Sequence, residues 1–206
     1  MFKFLFKKYP CTVNFLAHVF LSGGDFPVAV GNLIADQVKG YEVQSFPLKV
    51  QKGIHLHRAI DHFTDTHPCF KACATELFPS YRHYSRVIVD MYFDHFLAVH
   101  WNSYHPIPLT EFSNLFFDEL NQSEIEFSEK LNRFITALIT YNWFEQYKTI
   151  EGLGMILAQM DKRTRFNSNL AGSTTELIEK YSYFEDHFLN FMNPLIVFSK
   201  QQLSQL

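Results

Sequence analysis

Apolar residues recur along this chain at intervals of three and four, and no segment keeps the strict alternation of a half-buried strand. The pattern predicts an all-α fold of helices joined by short connections. A first helix covers 13–21. Asp25 caps a second that opens with Pro27 and closes at Gly40 after Lys39. A third begins near Pro47 and stops before His67-Pro68, because the residue preceding proline disfavours the α conformation. A short helix follows over 68–77, and Pro79-Ser80 opens the next, which carries Asp90 and Asp94. His105-Pro106-Ile107-Pro108 breaks the pattern. Beyond it the spacing predicts helices over 109–120, from the Ser123-x-x-Glu126 capping box to Lys148, and over 149–160. The polar stretch 161–169 reads as a loop before helices over 174–190 and 194–204.

Length and composition add that 206 residues, 47% of them hydrophobic, suit one domain with a substantial core. With 23 Phe and 10 Tyr against 8 Gly and 8 Pro, that interior is aromatic and turns are few, which again favours helices. The net charge of −3 argues against a broad nucleic-acid surface. It also hides an asymmetry. Residues 1–100 hold ten Lys or Arg against eight acids, and five of those acids, Asp36, Asp61, Asp65, Asp90 and Asp94, fall in chemically suggestive segments. Away from those segments this half is basic, a distribution that steers acidic partners. Cys11, Cys69 and Cys73 form no CxxC pair and leave an odd count, which points to a reducing cytoplasm, with Cys69 and Cys73 as packed small hydrophobes. No apolar run reaches the roughly 18–20 residues of a membrane helix, so no stable membrane association is expected. The first ten residues lack the h-region and cleavage site of a signal peptide.

The chemistry concentrates between Gly53 and Trp101. His55, His57, Arg58, Asp61, His62, Asp65 and His67 share one helical segment; Asp90, Asp94, His95 and His100 share another. Residues four apart lie on one helix face, so His57 with Asp61, Asp61 with Asp65, and Asp90 with Asp94 can point the same way. Carboxylates and imidazoles turned inward without a cation would cost several kcal/mol each, on the order of the penalty for buried unpaired charge. A divalent cation removes that cost. The plain alternatives are a capped or salt-bridged role for each carboxylate and a packed imidazole for each histidine.

Four segments in order carry a resemblance: Asn14 to His18, Gly31-Asn32 through Asp36 to Gly40, Gly53 through His57-Arg58 and Asp61 to Pro68, and Asp90 through Asp94-His95 to Trp101. Together they closely resemble the acyl carrier protein phosphodiesterase family, with weaker continuation through Gly154-Met155 and Arg163-x-Arg165. The resemblance implies a single-domain helical bundle of the HD-type phosphohydrolase kind. It implies metal-dependent removal of 4′-phosphopantetheine from the serine of holo-acyl carrier protein, with Mn²⁺ as the expected ion and Mg²⁺ or Fe²⁺ as substitutes. Mixed carboxylate and imidazole donors suit such ions, and no thiolate cluster is available for structural zinc. The alternative is an HD-like phosphohydrolase acting on a nucleotide or another small phosphodiester.

On this reading Asp36, His57, Asp61, Asp94 and His95 are the expected metal ligands. Arg58 would clamp a phosphate oxygen through its fork of donors. His18, His62 and His100 are candidates to protonate the leaving alkoxide. Asn32, Asp65, His67 and Asp90 would orient the ligands. Carrier protein is acidic, and Lys39, Lys49, Lys52, Lys71, Arg82, Arg86, Arg163 and Arg165 form the expected docking set, with Arg58 beside the chemistry. The family's Asn14-to-His18 motif opens its members, whereas here twelve residues precede Val13-Asn14. Residues 1–12 are therefore expected to be an extension, or translation to begin at Val13, with the domain over 13–206. Oligomeric state is not legible in the sequence.

Overall fold

The computed structural model describes residues 14–162 and 168–206. The expected extension and start at Val13, together with Cys11, Arg163 and Arg165, lie outside the described residues. Among these residues there are twelve α-helices and no strand, as the periodicity predicts. They are α1 Phe15–Phe20, α2 Phe26–Ile34, α3 Leu48–Thr66, α4 Pro68–Tyr81, α5 Ser85–Val99, α6 Trp101–Tyr104, α7 Leu109–Gln122, α8 Glu129–Thr140, α9 Trp143–Gln146, α10 Ile150–Asp161, α11 Thr174–Glu179 and α12 Tyr181–Gln205.

Several boundaries differ from the expected ones. The second helix stops at Ile34 and tightens into a 3₁₀ turn over Ala35–Gln37, followed by a second 3₁₀ stretch over Gly40–Ser45. Asp36 therefore stands on a tight turn and not in mid-helix. Pro79 lies inside α4, which runs on to Tyr81 and ends where Arg82 adopts φ 51°. The left-handed residue terminates the helix, and proline merely falls in its last turn. The capping box at Ser123 is not used. Ser128 caps α8 by accepting the N–H of Leu131 at 3.3 Å, and left-handed Asn142 (φ 42°) separates α8 from α9. Pro194 sits within the 25-residue α12, and the break expected there comes at Lys180 instead.

The core is aromatic. Phe15 meets Phe134 at 5.1 Å between ring centres, Tyr92 meets Phe184 at 5.0 Å and Phe93 meets Phe191 at 5.0 Å, joining α1, α5, α8 and α12. The tightest crossing is between α2 and α3. A Cβ on Gly31 would stand 2.0 Å from the Val50 carbonyl oxygen, and one on Gly53 would stand 2.0 Å from that of Val28. Only glycine allows this backbone-to-backbone approach. It carries Asn32 and Asp36 up to His57, one turn beyond Gly53 on α3.

Candidate functional site

Asn32 organises the centre. Its side-chain NH₂ donates to the His18 carbonyl (2.8 Å) and to Ser22 Oγ (3.0 Å), which leaves Oδ1 to accept from His18 Nδ1–H at 2.6 Å. Its backbone carbonyl accepts from His57 Nδ1–H at 2.8 Å. A carbonyl oxygen can only accept, so both imidazoles carry their neutral-state proton on Nδ1 and turn Nε2 the other way. The rings stack with centroids 4.0 Å apart.

Both Nε2 atoms face carboxylates. His18 Nε2 lies 3.3 Å from Asp61 Oδ1, and His57 Nε2 lies 3.1 Å from Asp61 Oδ2 and 3.2 Å from Asp36 Oδ1. His18 Nε2 is buried and, among the described residues, makes no well-aligned hydrogen bond, with Asp61 Oδ1 its facing group. Lone pairs on two nitrogens and two carboxylates thus converge with too few protons between them. Among the described residues, His18, His57 and Asp61 are the one set of three histidine, cysteine or acidic side chains whose ligating atoms all lie within 4.8 Å of one another. This donor set fits a divalent cation, each nitrogen being held in the ligating tautomer by a polar partner behind it.

Without a cation the charge balance falls on His57. Burial opposes its protonation, but hydrogen bonds to Asp36 and Asp61 and their negative charges outweigh that and push its pKa up to about 10. His18 moves the other way, lowered by burial and by the neighbouring His57. Burial raises Asp61, yet the two histidines hold it well below the usual carboxylate range.

The other expected residues are distributed more widely. Asp94 and His95 stand apart from this group. Asp94 is fully buried and accepts the N–H of Leu16 at 3.0 Å and of Ala17 at 2.9 Å, capping α1 where the side chain of Asn14 makes no cap. Burial pushes its pKa up to about 8 despite those donors. His95 bonds the Tyr147 carbonyl through Nδ1 at 2.7 Å and the Tyr181 hydroxyl through Nε2 at 3.2 Å. Neighbouring side chains on α5 point roughly 100° apart, and each of these two has found a partner elsewhere in the bundle. His100 pairs with Glu185 at 2.7 Å, and His67 caps α4 by accepting the Cys69 N–H at 3.2 Å. Asp65 is bound by Arg86 at 2.5 Å. Asp90 is buried with its pKa raised by desolvation and then by the charge of Asp61, and it has no hydrogen-bonding partner among the described residues. Arg58 and His62 are exposed on α3 beside Asp61, and neither has a side-chain partner among the described residues.

Of the expected docking cations, Lys49 pairs with Asp25 at 2.8 Å, Arg86 with Asp65, and Arg82 covers the Phe78 ring. Lys52, Arg58 and Lys71 are exposed with no partner among the described residues. Lys39 lies over the Tyr41 ring. His18, expected among the proton donors, stands in one cluster with the expected ligands His57 and Asp61, and the Gly31–Gly53 crossing was not anticipated from the sequence. The available signal was a pair of glycines inside two helical patterns, each within four residues of an expected ligand or its support.

Comparison with known proteins identifies the family of the chain. The family model described as acyl carrier protein phosphodiesterase matches residues 13–195. The chain is 33% identical over 184 residues to the acyl carrier protein phosphodiesterase of Yersinia pestis, covering 87% of this chain and 93% of that protein. It is 29% identical over 191 residues to the protein of the same description from Enterobacter sp. (strain 638), covering 92% and 99%. No solved structure matches it. With four-fifths or more of its length matched in each case, this chain belongs to the acyl carrier protein phosphodiesterase family.

Proposed function

We propose that this protein is a hydrolase that cleaves holo-acyl carrier protein to apo-carrier and 4′-phosphopantetheine, using a divalent cation held by His18, His57, Asp61 and Asp36. The observation that carries the reading is the convergence of two Nδ1-protonated imidazoles on two carboxylates. Imidazole plus carboxylate favours Mn²⁺ or Fe²⁺ over Mg²⁺, and Mn²⁺ is the ion we assign. When bound, such an ion supplies Lewis-acid activation of the phosphodiester and of water.

The chain's own residues supply position and proton traffic. Asn32 holds both histidines. Arg58, exposed next to His57, offers a planar pair of donors to a non-bridging phosphate oxygen. Water attacks phosphorus, the bond from phosphorus to the serine oxygen breaks, and that oxygen takes a proton. His62 is the candidate we assign to donate that proton, because it is exposed on the same helix and has no side-chain partner among the described residues, whereas His67 and His100 are committed to Cys69 and Glu185. Lys39, Lys52, Arg58 and Lys71 are the cations that meet the acidic carrier, so turnover is expected to fall with added salt. A cytoplasmic location accompanies that partner. No described helix is long and apolar enough to cross a membrane.

Intact-mass spectrometry of holo-acyl carrier protein incubated with this protein tests the reading. Loss of the phosphopantetheine mass with Mn²⁺, but not with chelator or with Asp61→Asn, is expected. An unchanged carrier in the presence of folded, Mn²⁺-loaded protein would shift the assignment to a small phosphodiester such as a nucleotide.

A further inference from the structure

Two cavities among the described residues differ in chemistry and place. One, of about 430 Å³, is largely apolar, walled by Phe20, Phe26, Phe112, Phe116 and Leu203 among others. It opens at the Phe26 end of α2, whereas Asn32 and Asp36 lie at the other end, which for nine residues is about 13 Å away. The second, of about 420 Å³, begins at Gln37 and Val38, the residues that follow Asp36, and continues past Ser45, Phe46, Ser128 and Leu131; two lysines and two glutamates complete its lining. Its volume lies within the roughly 300–1,000 Å³ of small-molecule sites.

We propose that this second cavity receives the pantetheine arm of the substrate while its phosphate lies at the His18–His57–Asp61 centre. The inference rests on the function proposed above. Asp36 and Gln37 are successive residues of one 3₁₀ turn, about 120° apart, so Asp36 faces His57 while Gln37 faces the cavity. A chain attached to phosphorus at the first position enters the space bordered by the second.

The lining matches the arm group by group. Pantetheine alternates apolar and polar segments: a gem-dimethyl carbon, a hydroxyl, two amides and a thiol. Val38, Phe46 and Leu131 offer apolar wall, and Ser45 and Ser128, whose hydroxyls bond the Glu42 carbonyl and the Leu131 N–H, add polar lining. Gln37 Oε1 is buried and accepts no hydrogen bond among the described residues. A buried carbonyl left unsatisfied is costly, and an amide N–H of the arm supplies what it lacks. The first cavity also has polar lining, from Tyr104, His105, Glu119, Ser199 and Lys200, but it opens away from Asp36. On this assignment the enzyme reads the leaving prosthetic group as well as the carrier, which separates its substrate from other phosphodiesters.

The test uses the full chain loaded with Mn²⁺ and three probes: 4′-phosphopantetheine, pantetheine and inorganic phosphate. Calorimetry is expected to show 4′-phosphopantetheine binding at least about tenfold more tightly than phosphate. Gln37→Leu should weaken it by about tenfold, the value of one buried hydrogen bond, while leaving phosphate and Mn²⁺ affinity unchanged. In case Gln37→Leu folds poorly, pantetheine alone added to wild-type protein should shift the amide resonances of Ser45 and Phe46. Equal affinity for phosphate and 4′-phosphopantetheine, or shifts at Phe112 and Phe116 instead, would overturn the proposal. Cleavage of holo-carrier with no effect of Gln37→Leu on product binding removes this inference alone; absence of cleavage removes the function on which it rests.

Discussion

His18 and His57 stack face to face with ring centroids 4.0 Å apart, and both direct Nε2 at Asp61. Two imidazolium ions at that distance would repel strongly, so in the cation-free protein one proton resides on His57 while His18 stays neutral. A metal ion must displace that proton. Apparent Mn²⁺ affinity should therefore rise with pH, by up to about tenfold per unit below the His57 pKa of about 10, with proton release on binding. Calorimetry in two buffers of different ionisation enthalpy measures the released proton, and equal heats in both would contradict this assignment.

The same groups set the pH dependence of stability without metal. His57 has a raised pKa in the folded state, so its contribution is complete below 6.5 and disappears as pH climbs towards about 10. Asp94 is also raised, from 3.8 to about 8; for a carboxyl this favours the unfolded, ionised chain as pH rises across that interval. Both effects have one sign. Urea midpoints of chelated protein should decline from about pH 5 to pH 9, and Mn²⁺ should flatten the decline.

Asn32→Ala removes the acceptor for His18 Nδ1–H and the donors to the His18 carbonyl and Ser22. His57 keeps its backbone partner, because the Asn32 carbonyl remains. Loss of a residue that orients a metal ligand weakens binding by about 10–100-fold, and stability should fall by about 1–3 kcal/mol. Mn²⁺ titration followed by electron paramagnetic resonance reports the first, and denaturant unfolding the second. Unchanged Mn²⁺ affinity would show that His18 does not ligate.

Asp94→Asn separates scaffold from ligand. As the cap of α1, Asp94 should reveal itself by a lower melting temperature, with Mn²⁺ affinity changed by less than about threefold once the protein is folded. A ligand would show the opposite: preserved melting of the metal-free protein and lost affinity. Asp61→Asn provides the comparison on the ligand side.

Gly53→Ala tests what brings the site together. Its new methyl would meet the Val28 carbonyl at 2.0 Å, and backbone on both sides leaves nothing flexible to yield. The helices must separate, at a cost expected to exceed about 3 kcal/mol, with loss of the Mn²⁺ site even where helix content persists. Circular dichroism and Mn²⁺ binding measured on one sample distinguish the two losses.

Periodicity along the chain was enough to establish helices, one hydrophobic core and a set of carboxylates and histidines suited to a cation, because i,i+4 spacing acts within a single element. His57 and Asp61 were legible for that reason, lying one turn apart on α3. Asp90 and Asp94 had the same spacing, yet one lies buried without a hydrogen-bonding partner among the described residues and the other caps α1. Spacing states which side chains share a face; it does not state which face meets another. That was decided by the Gly31–Gly53 crossing, which lets α2 approach α3 closely enough for Asn32 to hold two histidines from different helices, and by the 3₁₀ turn after Ile34, which swings Asp36 towards His57. Helix ends at Tyr81, Thr140 and Glu179 were likewise settled by packing and by left-handed residues more than by prolines, since a proline costs a helix one hydrogen bond and the surrounding core can offset it.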